Sequence, residues 1–137
     1  MCSIMGYMGS VLSEKEFKEH FDKTISRGPD MQRIVTMPGF IMGFERLSIM
    51  GLDESGMQPF NLNNNSVVCN GEVYGFRPIK EDLIKKGYSF KSNSDCEILL
   101  PMYEEYGTDM FKMLDAEYAC IIYASKKNSL VAERDQL

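Results

Sequence analysis

Five short, strand-like stretches limit how this chain can fold more than any other feature. They are SIMGYMG at 3–9, GFIMGFERLSIM at 39–50, SVVCNGEVY at 66–74, EYACIIYA at 117–124 and NSLVAERD at 128–135. Each has the length and apolar content of a strand, and turn residues bound most of them. Helical signals fall between them unevenly. Ser13-Glu14-Lys15-Glu16 has the form of a capping box, and Phe17, Phe21 and Ile25 follow at i, i+4 spacing, which predicts a helix over 13–25. The RGPD turn (27–30) breaks it. Between the second and third stretches there is only loop and the turn-forming NLNNN (61–65).

Two helices are predicted between the third stretch and the fourth. Pro78 suits a first turn, Ile79, Leu83 and Ile84 supply the apolar side, Lys85 and Lys86 favour the C-terminal end of the dipole, and Gly87 is a natural C′ residue. Ser94-Asp95-Cys96-Glu97 reads as a second capping box opening a helix through Tyr106, with Pro101 expected to kink it, since an interior proline costs about 3 kcal/mol. The last two stretches form a hairpin about Lys126-Lys127-Asn128. Strict strand–helix alternation is missing, so the expected class is α+β in packed layers and not a doubly wound parallel sheet.

At 137 residues, 44% of them hydrophobic, the chain has the size and composition of one domain with a real core. Its net charge of −5 and lack of a basic block argue against nucleic acid as a partner. No apolar run approaches the roughly 20 residues that span a bilayer, and the N-terminus lacks the basic and apolar regions of a signal peptide. The expectation is a cytoplasmic protein without membrane contact. Cys2, Cys69, Cys96 and Cys120 are widely spaced, which argues against a disulfide framework and against zinc. The last three read as small core residues. His20, the sole histidine, lies in a charged segment suited to a solvated helix face. A nucleophile here must draw its base from elsewhere, and Cys2, following Met1, offers one. Once Met1 is removed, thiol and free α-amine share a residue.

Taken singly, the polar motifs are weak. NGE (70–72) fits a turn beside a strand, Arg46 within FERLSI fits an edge residue or half an ion pair, and Asp95 fits an early helix position favoured by the dipole. Together and in order they are specific. MCSIMGY, RGPD, ERLSIMGL with QPF, NGEVYGF, SNSDCEILLPMYEEYG and ACIIYASKKNSLVAERD resemble successive signatures of the N-terminal glutaminase domain of glutamine-dependent asparagine synthetases. These are class II glutamine amidotransferases, and the resemblance covers essentially the whole chain. It implies an N-terminal-nucleophile hydrolase fold, an α/β/β/α sandwich of antiparallel sheets.

The resemblance also implies roles. Cys2 would attack the side-chain amide of glutamine, and Asn70 with the N–H of Gly71 would form the oxyanion hole. Arg46 would hold the substrate carboxylate, Asp95 its ammonium with help from Glu72, and backbone around Leu47 to Ile49 would line the pocket. The chemistry is coherent: an α-amine titrates near roughly 8 and a thiol near roughly 8.5, so the amine can take the thiol proton. No cofactor or metal is implied for this step; ATP and magnesium would serve only a synthetase domain absent from this chain, supplied in cis or trans. Four departures from the family pattern stand out: Ser3 replaces a glycine, Glu45 a histidine, Gly75 an asparagine, and AERDQL the A-R-D-P text. The last implies a domain incomplete at its C-terminal end, with exposed sheet edges that favour homodimerisation. The alternative reading is a non-catalytic glutamine-binding or interaction module derived from the same domain.

Overall fold

The computed structural model describes residues 1–48 and 53–136. Two antiparallel sheets form its centre. The first is built from β1 (Ser3–Met8), β2 (Met31–Met37) and β3 (Phe40–Arg46), with β3 in the middle. The second orders β4 (Phe60–Leu62), β5 (Asn65–Tyr74), β6 (Asp115–Ala124) and β7 (Ser129–Arg134) as neighbours.

Strand periodicity sorts the side chains into layers. From β3, Phe40, Met42 and Phe44 meet Val68 of β5 and Tyr123 of β6 in an inter-sheet core. Phe40 stacks on Tyr123 with ring centroids 4.6 Å apart. Ile41 on the opposite face of β3 packs against Phe17 and Phe21 of α1 (Glu14–Phe21). Gly43 lies under those rings, because a Cβ there would come within 2.6 Å of Phe21. On the outer face of the second sheet, Val67, Cys69, Val73, Cys120 and Ile122 pack against Leu83 of α2 (Phe76–Lys85) and Leu99, Leu100 and Met102 of α3 (Leu99–Tyr106). The layers are therefore helix, sheet, sheet, helices: an α+β sandwich of the expected kind.

The first capping box forms in full, but α1 stops at Phe21 and continues as a 3₁₀ helix over Asp22–Arg27. The second box does not form. Ser94 makes no side-chain cap, and Glu97 instead accepts from the N–H groups of Lys91 and Ser92. Residues Asp95–Ile98 are 3₁₀, so Pro101 falls in the first turn of α3, where a missing N–H costs little, and no interior kink is needed. After α2, Gly87 at φ 102° and Tyr88 donate to Ile84 and Leu83, a complete Schellman stop. Two strands go beyond the five stretches legible in the sequence: β2, and β4, which takes Asn61 and Leu62 out of the expected turn and leaves Asn63-Asn64, both at positive φ, to make it.

Candidate active site

A cleft of about 950 Å³ is lined from both sheets. Cys2 precedes β1, Arg46 ends β3 and Leu47 comes next, Asn70, Gly71 and Glu72 lie in the middle of β5, and Asp95 opens the 3₁₀ turn before α3. All seven line this one cleft, although they are up to 93 positions apart in the chain. Ile49, the remaining sequence candidate, lies outside the described residues.

The Cys2 thiol is half-buried, and its sulfur accepts the Leu47 N–H at 3.4 Å. The other thiols are buried. Burial pushes the Cys120 thiol up to about 12, and a hydrogen bond to Cys96 together with burial raises Cys69. Among the cysteines, Cys2 alone is not buried.

Arg46 is fixed by its own strand and by Asp53, whose carbonyl accepts from Nη1 at 2.6 Å. The RGPD turn lies directly against this strand end: Asp30 donates its N–H to the Arg46 carbonyl at 3.0 Å and accepts the Ser48 N–H at 2.7 Å. Gly28 is required there, since a Cβ would sit 2.3 Å from the Glu45 carbonyl. RGPD, singled out in the sequence without a role, thus holds the segment that carries Arg46 and Leu47.

Asp95 accepts the Val73 N–H at 2.6 Å, which ties the 3₁₀ turn to β5 beside the NGE residues. Glu72 faces Glu117 across the β5–β6 ladder, and both line the cleft, so with Asp95 they make this end acidic. Like charges directly opposite are unfavourable in an empty sheet and favourable around a cation. Gly71, at φ 156°, packs so closely on β6 that a Cβ would lie 2.2 Å from the Glu117 carbonyl. Glu45 is turned away from the cleft: it is fully buried, and its carboxyl oxygens accept from Thr24 of the 3₁₀ helix and Gln32 of β2, each at 2.9 Å. It does not oppose Arg46. Gly75 supplies positive φ at the start of α2 and lies outside the cleft lining.

Sequence reasoning missed Gln58. Its buried carboxamide accepts the Cys69 N–H at 2.6 Å and donates to the Cys69 carbonyl at 3.0 Å, extending the ladder past the end of β4 to the residue before Asn70. The QPF text was its only signal. Among the described residues there is no cluster of potential metal ligands, and no helix is long and apolar enough to cross a membrane.

The sequence profile described as the glutamine amidotransferase domain matches residues 1–137. The chain is 37% identical to a probable glutamine-hydrolysing asparagine synthetase of Dictyostelium discoideum, over all of this chain and 26% of that protein. It is 35% identical to one of Schizosaccharomyces pombe and 30% identical to one of Bacillus subtilis, again over all of this chain and over 25% and 24% of theirs. The chain therefore spans about a quarter of the length of the curated relatives it matches.

Proposed function

Because the chain belongs to the glutamine amidotransferase domain family, we propose that it releases ammonia from free L-glutamine through Cys2, as the amidotransferase unit of a longer asparagine-forming enzyme. The observation that carries this reading is a cleft combining an accessible thiol, a guanidinium, an amide-bearing strand and an acidic end. Free thiols at all four cysteines suit a reducing compartment such as the cytoplasm.

Removal of Met1 frees the Cys2 α-amine, which takes the thiol proton directly or through one water. The thiolate attacks the side-chain amide carbon of glutamine, and negative charge gathers on the amide oxygen. Asn70 and the Gly71 N–H donate to that oxygen; two preorganised donors lower such a barrier by about 3 kcal/mol each. The ammonium on Cys2 returns its proton to the departing nitrogen, ammonia leaves, and a thioester to Cys2 remains. Water then hydrolyses the thioester, giving glutamate and the regenerated thiol. Arg46 binds the substrate α-carboxylate as a planar fork, while Asp95, with Glu72, receives the α-ammonium. Such a clamp selects the free amino acid over glutamine within a peptide. The glutaminase step uses no cofactor, and ATP and magnesium belong to the amide-forming part of the longer enzyme.

Intact-mass spectrometry after exposure to a diazoketone analogue of glutamine tests the reading, since one spectrum reports Met1 loss and adduct together. The expected result is a single adduct on methionine-free chain, absent from Cys2→Ala. Folded, methionine-free chain that takes no adduct would overturn it. Saturable glutamine binding in that case would identify a binding module instead.

A further inference from the structure

We infer that Thr24 and Glu45, through Ser3, are positioning residues that hold the nucleophile and the carboxylate clamp of the proposed site in register; the inference rests on that functional reading. Ser3 and Glu45 are direct partners in the β1–β3 ladder, and Gln32 faces Glu45 from β2. Behind the sheet, Ser3 Oγ donates to Thr24 Oγ1 at 2.9 Å, Thr24 donates to Glu45 Oε2 at 2.9 Å, and Gln32 Nε2 donates to Glu45 Oε1 at 2.9 Å. Gln32 Nε2 also reaches Asp22 Oδ1 at 2.8 Å.

The placement of this network gives it a purpose. Cys2 lies just before Ser3 and Arg46 just after Glu45, so both functional side chains occupy strand ends, where ladders fray most readily. Strand alternation turns Cys2 and Arg46 toward the cleft and Ser3 and Glu45 away from it. The network thus clamps the two strand ends from the reverse face. The 3₁₀ helix Asp22–Arg27 supplies the link. Residues three apart eclipse in such a helix, and Thr24 and Arg27 lie along the start of β1, with Arg27 Nε reaching the Cys2 carbonyl at 3.4 Å. A carboxyl that is 0% exposed is costly unless it is hydrogen-bonded, and the Thr24 hydroxyl that serves it also has the Phe21 carbonyl at 2.9 Å, which fixes where its Oγ1 sits.

The test compares inactivation of the methionine-free chain and its variants by the diazoketone analogue of glutamine with alkylation by iodoacetamide, which needs the thiol but not the clamp. Thr24→Val, which keeps shape and deletes the hydroxyl, is expected to slow the maximal inactivation rate at least tenfold. Iodoacetamide should react with Cys2 at the parent's rate, and Thr24→Ser should restore inactivation. Should Thr24→Val melt below the assay temperature, Ser3→Ala cuts the same link without baring the carboxyl and is expected to show the same split. Inactivation of the folded variant at the parent rate overturns the positioning role and leaves the function standing. Equal slowing with both reagents also overturns it, marking a merely structural role. A parent chain that takes no adduct overturns both.

Discussion

Accessibility separates Cys2 from the other cysteines, and the separation is measurable. Cys120 sits near 12 because burial disfavours its thiolate, and Cys69 is raised by its hydrogen bond to Cys96 and by burial. A raised thiol value means that almost no thiolate is present near neutral pH, and the thiolate is the reactive form. Iodoacetamide at about pH 8 is therefore expected to add once to native protein, at Cys2, and at all four cysteines only in denaturant, read by peptide mass mapping. Early modification of Cys120 would contradict this account. Gly71 makes the second residue-scale prediction. Its β6 neighbours leave no space for a methyl group, with the Glu117 carbonyl 2.2 Å from where a Cβ would stand. Gly71→Ala must push β5 from β6 and is expected to cost about 3 kcal/mol in urea unfolding, while also displacing the proposed oxyanion donor.

The best-formed local element is the α1 capping box, in which Ser13 and Glu16 satisfy each other's backbone N–H groups. Ser13→Ala is expected to lose about 1 kcal/mol in chemical denaturation. Hydrogen bonds from the Ser13 backbone and side chain hold the Glu16 carboxyl below its ordinary value of 4.5. A lowered folded-state value stabilises fully above 4.5 and fades as pH falls below it. The melting-temperature gap between parent and Glu16→Gln should therefore be present near pH 7 and close toward about pH 3; a gap unchanged with pH would show that charge plays no part. This box was legible because each of its contacts spans three residues. Strands β5 and β6, buried in the centre of their sheet, were legible from apolar content alone. The edge strand β2 was not, since MQRIVTM buries only partially, nor was β4, three residues long and continued by the Gln58 side chain. The second capping box misled because the Ser92 N–H competes for the Glu97 carboxylate. In the cleft, charged and nucleophilic residues stood out by type and order, whereas Thr24, Gln32 and Gln58 are uncharged side chains whose hydrogen bonds run to other segments, which no local pattern encodes.

The two sheets meet through one apolar layer, Phe40, Met42 and Phe44 against Val68 and Tyr123, and the cleft takes residues from both. Arg46 belongs to one sheet, while Asn70, Gly71 and Glu72 belong to the other. A free amino acid whose α-carboxylate meets Arg46 and whose α-ammonium, on the same carbon, meets the acidic group bridges that junction, so its binding energy adds to the stability of the whole sandwich and not of either half. Binding to the folded state alone stabilises by about 2.7 kcal/mol at one hundred times the dissociation constant, whatever the contacts. L-Glutamine is therefore expected to raise the single melting transition of Cys2→Ala, in which no turnover depletes it, in a concentration-dependent way. Arg46→Ala in the same background should abolish the shift, because the α-carboxylate loses its partner. Asp95→Asn should weaken it, leaving Glu72 and Glu117 to face the ammonium. Glutamine within a blocked peptide, carrying neither the free α-carboxylate nor the free α-ammonium, should give no shift. A full shift with Arg46→Ala, or an equal shift with the blocked peptide, would mean that glutamine binds elsewhere and that the clamp on its two α-charges is wrong.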